Sequence, residues 1–156
     1  MELLNKKWFK IVLAEASIII VAVLGSIFVN LGMEWFDGLT KPTQWIPNIV
    51  IPIVWTIIYG IFAVVLFLWI KNSKISVTNL VLLIINGLLN IIWCLLFFTL
   101  NLTFIGNIAI IVNLIAGILL VVSIYKTKKL YGYLTIIYPV WLAIATSLNL
   151  ALWILN

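Results

Sequence analysis

Trp55, Trp93 and Trp141 lie well inside long apolar segments, where an indole needs a partner for its N–H. Each sits on a helical stripe with other groups able to contact a ligand. Asn86, Asn90, Trp93 and Phe97 fall at i, i+4, i+7 and i+11, one face of a helix. Trp55, Tyr59 and Phe62 share a second face, and Tyr138, Trp141, Ala145 and Asn149 approximate a third. Two asparagines on one face at membrane depth are costly unless they meet protein partners or a polar ligand. If the three stripes converge, they bound a cavity with indole walls, amide and phenol donors, and small residues that leave room. Such a cavity suits a large, flat, mainly apolar molecule. The same residues also serve as packing: Ala143, Ala145, Ser147 and Gly117 permit close helix approach, and each asparagine bridge is worth roughly 1 kcal/mol. The residues alone leave both readings open.

Other chemistry is narrowed by what the chain lacks. It has no histidine and a single cysteine, Cys94, within an apolar segment. A zinc site or a histidine-ligated haem iron is therefore not expected, nor an intramolecular disulfide. No buried carboxylate pair, Ser-His-Asp set or phosphate-cradling loop is legible. Glu15, in the early turns of the first apolar run, is placed to snorkel or meet a lysine. It is too little for the proton relays usual in coupled transport.

The elements that position these residues follow from composition. The 156 residues are 66% hydrophobic and 8% charged, with mean hydropathy +1.33, which predicts an all-α integral membrane protein of one domain. Five apolar runs are long enough to span, at about 11–31, 49–70, 80–100, 104–125 and 133–153. Their length favours helices over barrel strands despite the many isoleucines and valines. The first run is too long for a signal-peptide core. Lys6, Lys7, Lys10, Lys71, Lys74, Lys126, Lys128 and Lys129 all sort to one side of a five-span chain, and Lys41, Glu34 and Asp37 to the other. The positive-inside rule then puts the N-terminus in the cytoplasm and the C-terminus outside. The net charge of +5 is topogenic, and no nucleic-acid partner is expected. Trp8, Trp35, Trp45, Trp69 and Trp153, near segment ends, read as an interfacial belt. Asn107 and Asn113 read as helix–helix hydrogen-bonding residues, with a dimer face one place for them. Pro52 and Pro139 read as kinks.

The one long connection, residues 32–48, is rich in aromatics and proline. It reads either as a lid over the outer mouth of the bundle or as an interfacial loop among headgroups. Here the sequence resembles a known family. Trp35, Phe36, Leu39, Lys41 and Pro42, then Pro47 and Asn48, then Pro52, Trp55, Tyr59 and Gly60 look like the signature of the TspO/MBR family. Asn86, Asn90, Trp93, Phe97 and Phe98 continue it, and Tyr138, Trp141, Ala145, Leu148 and Asn149 complete it.

The resemblance implies a five-helix fold in a bacterial plasma membrane, often a homodimer. It also implies a porphyrin-type ligand such as protoporphyrin IX among spans two, three and five, with no metal and no separate cofactor. The implied ligand set is Trp35, Phe36, Pro42, Trp45, Trp55, Tyr59, Asn86, Asn90, Trp93, Phe97, Tyr138, Trp141, Ala145 and Asn149. Trp55 and Trp141 match positions linked to light-dependent breakdown of the porphyrin. Transport of porphyrins or other hydrophobic solutes, and a structural or regulatory role without ligand, are the alternatives. Three departures stand out. Phe36 replaces a usual tyrosine, Gln44, Trp45, Ile46 and Pro47 shift the tryptophan and lack one proline, and the sterol motif proposed for span five is missing.

Overall fold

The computed structural model describes residues 7–43, 46–72 and 75–156. Among them there are helices and connections but no strand. The elements are α1 (Lys7–Leu31), α2 (Met33–Asp37), α3 (Val50–Asn72), α4 (Val77–Cys94), α5 (Thr103–Thr127), α6 (Lys129–Thr135) and α7 (Ile137–Leu155). A π-helical turn, Leu95–Thr99, continues α4. Five helical stretches are long and apolar enough to cross a membrane: α1, α3, α4 with its π turn, α5, and α6 with α7. This agrees with the five runs in the sequence. In each run the helix extends beyond the apolar stretch, by up to four residues at the lysine-rich end. Polar residues there continue the hydrogen bonding of the helix into the interfacial zone.

Helix α5 is the centre of the bundle, packed against α4 on one side and α7 on the other. Its buried face carries small and polar residues, including Gly106, Asn107, Ala109, Asn113, Ala116 and Gly117. In hydrocarbon that composition is what lets backbones approach closely. Helix α1 packs against α3 and α4 and buries few of its own residues.

The last span is broken. Pro139 has no N–H to give the Thr135 carbonyl, and its ring crowds that oxygen, so the helix interrupts at Ile136. The Thr135 hydroxyl turns back to donate to the Tyr131 and Gly132 carbonyls at 2.8 and 3.2 Å. Pro52 does not interrupt α3. It lies in the first helical turn, where the N–H would be unpaired anyway.

One aromatic expectation changes. Trp8 and Trp153 are exposed at helix ends, as a belt requires. Trp69 is 1% exposed and packs on Tyr131 with ring centres 6.0 Å apart. It belongs to the core of the lysine-rich end, because the α6 segment folds across it. Asn107 and Asn113 are buried inside the chain and do not form an outer dimer face. Glu15 meets no lysine among the described residues, and one of its carboxylate oxygens is buried without a partner.

Candidate functional site

The stretch 32–48 is not simply a loop. It opens with the short helix α2, which lays Phe36 inward against Phe98, ring centres 5.2 Å apart. Gly32 makes this possible. A Cβ there would lie 2.0 Å from the Phe98 carbonyl oxygen, so only glycine lets the corner touch the π turn. The Lys41 ammonium donates to the Phe36 and Asp37 carbonyls at 3.0 and 3.3 Å and sits 4.9 Å from the Phe36 ring centre. The lid-like placement of residues 36–41 is thus built by a buried aromatic and a lysine that caps the end of α2.

Beneath α2 lies a cleft lined by Phe36, Ile51, Trp55, Trp93, Phe98, Trp141, Ala145, Leu148 and Asn149. The three interior tryptophans therefore meet in one place. Trp55 lies 6.1 Å from Trp93, stacks on Tyr59 at 5.7 Å and meets the edge of Tyr138 at 6.4 Å. The cavity volume is about 30 Å³, room for a water or two and far short of the several hundred Å³ of usual ligand pockets. The cleft is small and only partly enclosed, with Phe36 among the residues that bound it. The indole nitrogens of Trp93 and Trp141 and the Asn149 amide nitrogen are buried without a hydrogen-bond partner.

Of the sequence-derived set, Phe36, Trp55, Trp93, Trp141, Ala145 and Asn149 line the cleft. Ile51, Phe98 and Leu148 also line it and were not in that set. Phe98 shows why. The π turn adds a residue to the helical turn, so the stripe through Asn86, Asn90 and Trp93 does not continue to Phe97. Phe97 rotates away, is 0% exposed, and packs against Gly106 and Trp35. Phe98 takes the place at the cleft. Tyr59 and Tyr138 form a second layer behind Trp55. Trp35 rests on Phe97 and Pro42 is half-buried in the loop; neither lines the cleft. Trp45 lies outside the described residues.

Asn86 and Asn90 are engaged in a buried tie between three helices. The Asn90 amide donates to the Tyr138 hydroxyl at 2.9 Å. That hydroxyl shares its one proton between the side-chain oxygens of Asn86 at 3.1 Å and Asn113 at 3.2 Å. Asn86 also donates to the carbonyls of Leu82 and Ala116 at 2.8 and 3.2 Å. The tie joins α4, α5 and α7 just below the cleft, so these two asparagines hold the floor and do not line the cleft walls.

Comparison with known proteins places the sequence in a group. A profile of the TspO/MBR family covers residues 14–154. The chain belongs to the TspO/MBR family. It is similar to the tryptophan-rich protein TspO of Archaeoglobus fulgidus, 30% identical over 94% of this chain and 97% of the relative. It is 25% identical to protein CrtK of Rhodobacter capsulatus over 78% of each chain. It is 23% identical to the tryptophan-rich protein TspO of Bacillus cereus over 85% of this chain and 88% of the relative. The family match thus takes in every described element that contributes to the cleft, including both α2 and the broken last span.

Proposed function

We propose that this membrane protein binds a flat, mainly apolar tetrapyrrole, such as protoporphyrin IX, in the cleft beneath α2, and acts as a sensory or regulatory protein. The observation that carries the reading is the convergence of Trp55, Trp93 and Trp141, with Phe36 and Phe98, from four separate elements and the π turn's extra residue. Rings brought together from distant parts of the chain suit stacking against a planar molecule. The buried, unpaired donors of Trp93, Trp141 and Asn149 add hydrogen-bonding capacity at the same place.

The lining chemistry fits a free-base macrocycle, but the volume of about 30 Å³ does not. Binding therefore includes displacement of Phe36 and the loop that carries it. The hydrogen-bonded tie of Tyr138 with Asn86, Asn90 and Asn113 closes the cleft below. This favours a binder over a transporter, which needs a route onward. In a plasma membrane with the lysine-rich end in the cytoplasm, the cleft faces outward.

Trp55 and Trp141 are the residues that would assist light-dependent breakdown, with the bound macrocycle as photosensitiser and the indoles as oxidisable neighbours. Titration of the purified protein with protoporphyrin IX, followed by tryptophan quenching, tests the binding. Illumination of the complex then tests turnover. Trp55→Phe combined with Trp141→Phe is expected to slow light-dependent loss of the bound porphyrin at least tenfold while leaving binding within a few-fold. Unchanged photochemical loss in that double variant would remove the indoles from the reaction.

A further inference from the structure

The loop over the cleft is tied at a second point, one residue before Lys41 and by a partner far away in sequence. The Thr40 backbone N–H donates to the Asn156 side-chain oxygen at 2.9 Å, and the Asn156 amide donates back to the Thr40 carbonyl at 3.1 Å. One carboxamide thus pairs with both backbone groups of one residue, across 116 positions of sequence. The same amide donates to the Leu152 carbonyl at 2.8 Å, which fixes the side chain against the end of α7. Helix α7 is the element that brings Trp141, Ala145, Leu148 and Asn149 to the cleft. Thr40 is next to Lys41, whose ammonium holds the carbonyl of Phe36. A continuous set of contacts therefore runs from the wall of the cleft, through Asn156 and Thr40, to the aromatic residue in its roof.

We propose that the Asn156 side chain is a latch on the first loop and sets the fraction of molecules whose cleft is open to ligand. The inference rests on the reading of the cleft as a ligand site. Both Thr40 and Asn156 are exposed, so water competes for these bonds and the latch opens readily. A cavity of about 30 Å³ cannot hold a macrocycle, so the bound state is one in which the loop is raised and the latch is undone. For a ligand that binds only the open form, apparent affinity falls in proportion to the fraction open. Breaking the latch therefore speeds association and tightens binding by the same factor, and leaves dissociation unchanged.

The test compares the wild-type protein with Asn156→Ala, Asn156→Asp and Thr40→Ala, by two readouts. Backbone amide hydrogen exchange at Thr40 reports the latch without any ligand. Stopped-flow tryptophan quenching by protoporphyrin IX reports access. Asn156→Ala is expected to speed exchange at Thr40 and to raise the association rate about fivefold, as loss of two exposed hydrogen bonds allows. Asn156→Asp keeps the acceptor and loses the donor, so it falls between. Thr40→Ala leaves both backbone bonds in place and should match wild type. Unchanged exchange in Asn156→Ala overturns the latch. Faster exchange with an association rate within twofold of wild type overturns its control of access. Absence of quenching in the wild type would remove the porphyrin reading and the latch's part in access with it, while exchange still decides whether Asn156 holds the loop.

Discussion

Tyr138 separates binding from holding at the scale of single residues. Its ring backs Trp55, but its hydroxyl is committed to three asparagines on two other helices. Tyr138→Phe would leave the Asn90 amide with only the Asn86 carbonyl at 3.2 Å and remove the proton shared by Asn86 and Asn113. The expected cost is about 1 to 2 kcal/mol, since buried polar groups left unpaired lose more than the bond itself. Thermal unfolding in detergent should show a midpoint lower by several degrees, with porphyrin quenching retained in the protein that remains folded. A larger effect on binding than on stability would place the hydroxyl in the site itself. The sequence made the three interior tryptophans legible as a set, because helical spacing alone puts each on a stripe. It did not separate the asparagines of the floor from the residues of the wall. Both lie on the same face of α4, and only the arrival of Tyr138 from α7 distinguishes them.

Among elements, α4 and its π turn matter most to the shape of the cleft. The Leu100 N–H bonds the Leu95 carbonyl at 2.9 Å, one residue further back than an α-helix allows, and Asn101 then turns the chain with a φ of 57°. Asparagine tolerates that left-handed conformation better than most residues. The turn is clamped from both sides by close approaches at Gly32 and Gly106. Gly32→Ala forces a methyl group onto backbone and cannot be absorbed by a rotamer change. Its expected cost is about 3 kcal/mol, at the upper end for overpacked sites. Melting should fall accordingly, and porphyrin quenching should weaken because α2 no longer seats Phe36. Span limits were readable from hydropathy to within a few residues. The π turn was not, since one extra residue leaves no mark on an apolar run, and the exchange of Phe97 for Phe98 followed from that. The interruption of the last span was signalled by Pro139, while the similar signal at Pro52 meant nothing because of its place in the first turn.

Across the whole molecule, the described lysines other than Lys41 gather at one end of the bundle, and the cleft with α2 lies at the other. That asymmetry gives a direct test of orientation. Asn101→Cys, at the turn between α4 and α5, should react with a membrane-impermeant thiol reagent added to intact cells. Lys128→Cys, between α5 and α6, should react only after the membrane is opened. Cys94 is buried and provides a quiet background. The reverse pattern would place the cleft toward the cytoplasm and change which side supplies the ligand.

The tie around Tyr138 has a consequence for how the protein is made. A chain enters the membrane from its beginning, and domains form in that order. Helices α4 and α5 therefore arrive together carrying Asn86, Asn90 and Asn113, while Tyr138 is still to come on the last span. Until α7 is inserted, the Asn90 amide lacks the phenol as acceptor, and the side-chain oxygens of Asn86 and Asn113 lack its proton, in a solvent that offers neither. Completion of the bundle is thus the step at which one phenol ties together side chains of two helices already in place. A nascent chain halted short of α7 would present the same three amides to the quality-control machinery as an unfinished surface.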